Sequence, residues 1–400
     1  MTSIIRFSKS AEPSDNKNEM KNKIIIRPLI TLLLLTLSAV ILLMGCATVG
    51  KYNKPLNISE QDLSDYTART PLRSEGDKMA VRISDAPGED PFEVLPGAAP
   101  DPFVCYDNAT DYYYGLSTQN GYIELHRSKL LSELFTGPDK TIVYSAGNEV
   151  VGSIWAPEMY FLDGLWYIYT SGQLTFEDGT KHLFVLESES ADPFDGFHFK
   201  SFPDNSIFAI DPTVYVDPAD GRMYICFSQV IDGCQWLSIA PLTSPWEMGE
   251  SMPISDPHDY LWESLTDGPL NEGPFFVSSG SRLFIIYSAN GCYSDTYRLG
   301  AIEYNGGDPL SKDSWVKYSE PVFVLNKDDN VFAPGHASFF YSPDHTELWI
   351  AYHCYYSRNT GAKRRMRVCH VQKVGFDEDG FPAFGDPLGG DVLENVPSGE

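Results

Sequence analysis

From about residue 96 onward, short apolar runs alternate with turns rich in Asp and Gly, and the alternation itself repeats. Each unit is a polar or acidic residue, an apolar strand, a turn, and a second, aromatic strand. The first copy reads Asp101-Pro102-Phe103-Val104, a turn from Asn108 to Asp111, then Tyr112-Tyr113-Tyr114. The others open on Trp155-Ala156-Pro157-Glu158, Asp211-Pro212-Thr213-Val214, Asn271-Glu272-Gly273-Pro274 and Gly335-His336-Ala337-Ser338. Starts at 101, 156, 211, 272 and 336 lie 55 to 64 residues apart, and further runs such as Tyr122-Ile123-Glu124-Leu125 fill each unit. Five units of roughly four strands, with no amphipathic helical pattern, predict an all-β fold, a five-bladed β-propeller. A sandwich or β-helix is the alternative, but sandwiches show no such long period.

The N-terminal stretch follows another pattern. Lys21, Lys23 and Arg27 precede an apolar run from Leu29 to Met44, which closes on Gly45-Cys46. This resembles a bacterial lipoprotein signal and predicts residues 1–46 as a signal peptide ending at a lipidated Cys46. The run is short for the alternative, an uncleaved membrane-spanning helix. The expected location is therefore outside the cytoplasm, in the periplasm or at the cell surface, with the membrane touched only through the lipid. Residues 47–95, polar and punctuated by Pro55, Pro71 and Pro87, read as a tether and lead-in segment, and 96–400 as the propeller domain.

Composition narrows the partners. The formal net charge is −26, and the leader holds six basic and three acidic residues, so the rest of the chain carries −29. Such a surface disfavours nucleic acid and anionic polymers and favours neutral ones. After Cys46 come Cys105, Cys226, Cys234, Cys292, Cys354 and Cys369, none in a C-x-x-C pair, which argues against a zinc site.

In a propeller the first strand of each blade lines the central channel, so the leading residues share one funnel. This brings together Asp101, Asp211, Glu272 and His336. Each acid alone reads as a turn residue; three at one phase of a repeat point to chemistry. Three converging carboxylates suit glycoside hydrolysis: an ionised one activates water, a protonated one delivers a proton to the leaving oxygen, and the third tunes them by like-charge repulsion. Trp155 would stack on a sugar face. Carboxyls roughly 6.5–9.5 Å apart would leave room for the water and give inversion.

The five opening blocks, Ile154-Trp155-Ala156-Pro157-Glu158 and Pro334-Gly335-His336-Ala337-Ser338-Phe339 among them, resemble the signature blocks of glycoside hydrolase family 43, from about Pro100 to Phe381-Pro382-Ala383-Phe384-Gly385. The resemblance is to the branch containing α-L-arabinofuranosidases. It implies Asp101 as general base, with Asp90 a rival from a similar tripeptide, Asp211 as pKa modulator and Glu272 as general acid. It also implies Arg367 as the arginine that holds a sugar hydroxyl, with Arg364 and Arg365 as surface charges. His336 matches a position that holds an axial calcium through waters, although one imidazole alone is a poor calcium ligand; the chemistry itself needs no cofactor. The expected activity is removal of terminal α-L-arabinofuranosyl units from a plant-type polysaccharide by a monomer. β-D-Xylosidase and endo-arabinanase are the alternatives, and a non-catalytic sugar-binding propeller is the reading from another class. Gly152-Ser153 and Ala333-Pro334 depart from the branch's usual residues near the rim, which bears on substrate choice.

Overall fold

Five antiparallel sheets, each a meander opened by its innermost strand, make up the computed structural model, which describes residues 78–84, 98–175, 179–266, 268–355 and 367–400. Cys46, Asp90, Arg364 and Arg365 lie outside the described residues. The blades span 103–145, 152–201, 209–255, 271–317 and 332–383, four strands each except the third, which adds a fifth. Among the described residues there is no α-helix, only short 3-10 turns. The fold is the five-bladed propeller that the repeat predicts.

The repeat has a backbone cause. Asp101, Ala156, Asp211, Gly273 and His336 all adopt left-handed backbone, with φ between 45° and 57°. In the first four blades the next residue is proline: Pro102, Pro157, Pro212 and Pro274. In blades 2 to 5 the ladder slips register at this point, for example between Ile210 and Thr213 and between Glu272 and Phe275. A bulge leaves a position without a ladder bond, and proline, which has no N–H to donate, fits there. The shared phase in blade 4 is therefore Gly273, and Glu272 stands one residue ahead of it, as Trp155 does in blade 2. The sequence placed Glu272 in phase with Asp101 and Asp211. The bulge corrects that by one residue, because two successive side chains at such a kink can reach the channel.

Past the bulges, inner strands of different blades meet directly. The Phe103 ring centroid lies 5.8 Å from Tyr160 and 6.4 Å from Phe275, which lies 5.7 Å from Phe339. Phe103, Phe275 and Phe339 belong to one buried apolar cluster, with Tyr160 packed against it.

The ring of blades is zipped by its two ends. Lys78–Ala80 pairs antiparallel with Leu393–Asn395. Just beyond, Ile83 N–H donates to the Cys369 carbonyl at 3.1 Å and Val371 N–H to the Val81 carbonyl at 2.9 Å. This piece of the lead-in segment is thus an outer edge of blade 5, with Met79, Val81 and Ile83 fully buried.

Candidate active site

At four of the five left-handed positions, those of blades 1, 2, 4 and 5, the backbone N–H is handed to a side chain of the preceding blade, and the site is built from these handovers. Asp101 N–H donates to His353 Nδ1 at 3.2 Å, and Ala156 N–H to Thr118 Oγ1 at 2.8 Å. Gly273 N–H donates to Asp211 Oδ2 at 3.1 Å, and His336 N–H to Ser288 Oγ at 2.8 Å. A register fault that would otherwise leave buried donors unmade becomes the device that locks neighbouring blades and aims their leading residues.

Asp101 is the most heavily held. Its Oδ2 accepts from the Thr118 hydroxyl at 2.8 Å, and its Oδ1 takes the Arg367 guanidinium, with His353 Nδ1 at 3.1 Å and His336 Nδ1 at 3.4 Å. Burial alone would raise its pKa. The Arg367 charge, with smaller contributions from His336 and His353, overcomes that and holds the carboxyl well below the usual range. Burial pushes both histidines down, His353 to about 3, with Arg367 adding to it, so both are neutral near pH 7. The cation that keeps Asp101 ionised is therefore Arg367.

Glu272 has the opposite setting. It is half-buried, and its Oε1 accepts from the Tyr297 hydroxyl at 2.9 Å. Desolvation pushes its pKa up to about 7; Asp101 adds to the rise, while Tyr297, Arg367 and Gln235 temper it. Asp211 is buried, and desolvation with the charges of Glu272 and Asp101 drives it well above the ordinary aspartate value. Three carboxyls from blades 1, 3 and 4 thus interact in one funnel, one firmly ionised and two disposed to hold protons.

His336 lies over Gly273. A Cβ built on that glycine would meet the His336 ring at 3.1 Å, at a φ of +52°. Gly273→Ala is expected to cost about 1–2 kcal/mol for the left-handed backbone alone, lowering Tm by about 2–4 °C per kcal/mol, and to displace His336 from Asp101. Thermal melts and kcat read together check this; a variant unchanged in both contradicts it. As a metal ligand His336 stands alone. Its Nδ1 is turned to Asp101, and among the described residues no group of three or more His, Cys, Asp or Glu side chains converges on an ion. The protein side chains alone do not make a calcium cage, since that ion takes six to eight oxygens, so waters would have to supply most of them.

Trp155 sits on the neighbouring blade. Its indole N–H donates to Asn120 Oδ1 at 3.0 Å, and the Lys181 ammonium covers one ring face at 4.3 Å. Sequence reasoning missed His353, Tyr297 and Thr118. A histidine inside the apolar run Tyr352-His353-Cys354 is the one signal that pointed to any of them.

A propeller funnel in which three carboxyls meet, one of them paired with an arginine, is an arrangement suited to glycosyl hydrolases. Residues 93–382 match the profile of glycosyl hydrolases family 43, and the chain belongs to that family. It is similar to an extracellular exo-α-(1→5)-L-arabinofuranosidase of Streptomyces avermitilis, 33% identical over 309 residues, covering 72% of this chain and 62% of that protein. It is also similar to α-L-arabinofuranosidase 43 of Humicola insolens, 32% identical, covering 69% of this chain and 60% of the other. The chain thus spans about three fifths of the length of these two curated relatives. Among solved structures, an α-L-arabinofuranosidase from Lactobacillus brevis superposes with a TM-score of 0.67 at 26% identity, over 74% of this chain and 96% of that one.

Proposed function

We propose that the protein is an inverting glycoside hydrolase that removes terminal α-L-arabinofuranosyl residues from arabinan- or arabinoxylan-type polysaccharide. The observation that carries this reading is the meeting of three carboxyls from different blades in one funnel, with Asp101 paired to Arg367, Glu272 bonded to the Tyr297 hydroxyl, and Asp211 holding the Gly273 N–H beside it. Asp101, ionised beside Arg367, takes a proton from water, and the water oxygen bonds to the anomeric carbon. As the bond from that carbon to the leaving oxygen breaks, Glu272 gives that oxygen its proton. Asp211 accepts the Gly273 N–H and so orients the strand carrying the acid. The relatives' names, with the leader-like stretch before Cys46, support export, and we read Cys46 as the anchoring residue.

The test is release of p-nitrophenol from the α-L-arabinofuranoside and the β-D-xyloside, with the anomer of the first-formed sugar followed by NMR. Faster release from the xyloside, or a retained anomer, would overturn the substrate or the stereochemistry. No release from either would favour an endo-acting enzyme or a binding propeller. The pH dependence has a definite sign. Glu272 must be protonated and Asp101 ionised, so kcat/KM is expected to fall above about pH 7 and to hold on the acid side to below the ordinary aspartate value of 3.8. An optimum on the alkaline side contradicts these roles.

A further inference from the structure

Asn271 comes just before the acid Glu272 and two residues ahead of the left-handed Gly273 of blade 4. At the same phase the other four blades carry Ala99, Ile154, Ala209 and Pro334, all buried and apolar. Asn271 is as fully buried, so among the five blades only the fourth puts a polar side chain there. A buried amide is unfavourable unless its hydrogen bonds are made, and both polar atoms of this one are engaged. Its Nδ2 donates to Glu263 Oε1 at 2.7 Å and to the Leu270 carbonyl at 3.0 Å. Its Oδ1 accepts from Ser255 Oγ at 2.7 Å and from Lys317 Nζ at 3.3 Å.

Behind the amide stands an ion pair that the reaction leaves unused. Lys317, on the outermost strand of blade 4, lies 2.9 Å from Glu263 Oε1, with side chains 8% and 0% exposed. Its ammonium also donates to the Asp256 carbonyl at 2.6 Å and faces Asp259 at 3.4 Å. Glu263 accepts from the Tyr287 hydroxyl at 2.9 Å and from the Tyr260 N–H at 3.2 Å. The extra strand of blade 3, Met252–Ser255, ends at this cluster and brings in Ser255 and then Asp256. A buried pair is weak evidence for stability, because apolar residues of similar volume often serve as well. Its place in the fold gives it another use.

The inner strand pairs Asn271 with Ala289 and Glu272 with Ser288, and then slips register before Phe275. Glu272 therefore sits on a two-residue stub that the bulge cuts off from the regular ladder, and its direction depends on how that stub is held. The Asn271 side chain holds it through the ion pair, and Ser228 Oγ donates to the Asn271 carbonyl at 2.8 Å. We propose that Asn271, Glu263 and Lys317 are positioning residues for the general acid: the ion pair clamps the Asn271 amide, and the clamped amide fixes the peptide from which Glu272 reaches the funnel. The effect on catalysis rests on the glycosidase reading of Glu272, but the clamp does not, and the two are measured separately.

Two α-L-arabinofuranosides, one with a dinitrophenyl and one with a methyl leaving group, separate a misplaced acid from a weakened fold, because only the methyl glycoside needs the proton. For Asn271→Ala the ratio of the two turnover rates is expected to shift about 10- to 100-fold toward the dinitrophenyl substrate, the scale of a misplacement of about 1 Å. A fold defect lowers both rates alike, so an unchanged ratio overturns the proposal. In a Glu272→Gln background, which has no proton to misplace, Asn271→Ala is expected to leave the ratio where it was, and a further shift there also overturns it. The ratio is independent of how much of the sample is folded and needs no lysine variant. Thermal melts of Asn271→Ala, Lys317→Met and the double variant read the clamp without activity. Residues in one network are expected to lose less Tm together than the sum of their separate losses, and additive losses overturn the clamp. Coupled losses in a protein that cleaves no glycoside leave the clamp standing and refute the glycosidase reading alone.

Discussion

Glu272→Gln is expected to lower kcat on arabinan oligosaccharides about 10²–10⁴-fold, the range a positioned general acid contributes, with little change in KM. The amide still accepts from Tyr297 and fills the same space, so what is lost is the proton. The loss should depend on the leaving group. An aryl arabinofuranoside with a very acidic phenol departs without protonation and should recover most of the rate, whereas an alkyl leaving group should not. A uniform loss across leaving groups would sink the acid assignment. Stability should move the other way. Glu272 has a folded pKa of about 7 against an ordinary 4.5, so the fold loses stability as pH rises from that ordinary value through the folded one. Glutamine removes this liability, and the variant's Tm should exceed the parent's at pH 8 and match it at pH 4.

Asp101→Asn should be as damaging to turnover, about 10²–10⁴-fold in kcat, but with the opposite effect on the fold. Here the substitution takes a buried guanidinium's partner away: the Arg367 side chain is 14% exposed and its charge is met by Asp101. Breaking a buried pair from one side costs about 3–5 kcal/mol where the remaining charge cannot relax, so a fall in Tm is expected with the fall in kcat. The sign with pH follows. The folded pKa of Asp101 is depressed, so the pair stabilises the parent above 3.8 and its contribution is lost as pH falls through the folded value. Parent and variant should converge in Tm under strongly acidic conditions. Azide, a nucleophile that needs no deprotonation, should restore turnover to Asp101→Asn and not to Glu272→Gln. Equal rescue of both variants contradicts the division of roles.

The architecture was legible because blade repeats write themselves twice, as apolar period and as turn chemistry. Asp101-Pro102, Ala156-Pro157, Asp211-Pro212 and Gly273-Pro274 mark the left-handed turns into the inner strands as plainly as the strands, and they led to the funnel and its three acids. The residues that set those acids apart were less visible. His353 acts on Asp101 from a separation of 252 positions, and Tyr297 reaches Glu272 from a loop without a motif. Such partners are selected by the closing of the ring, which no local pattern encodes. The offset of Glu272 from Asp101 was hidden for a related reason: a bulge changes which of two neighbouring residues is in phase, and a repeat read by eye absorbs the difference.

The zip between Lys78–Ala80 and Leu393–Asn395 has a bearing on how the protein is made. The outer edge of the last blade is contributed by residues near the start of the domain, so a nascent chain carries Met79, Val81 and Ile83 unburied until blade 5 and the final strand have emerged. The closing contact spans some three hundred residues, the kind of long-range pairing that slows folding. Loss of stability on deleting Lys78–Ala80 or Leu393–Asn395 is the expected mark of a ring clasped by these two segments.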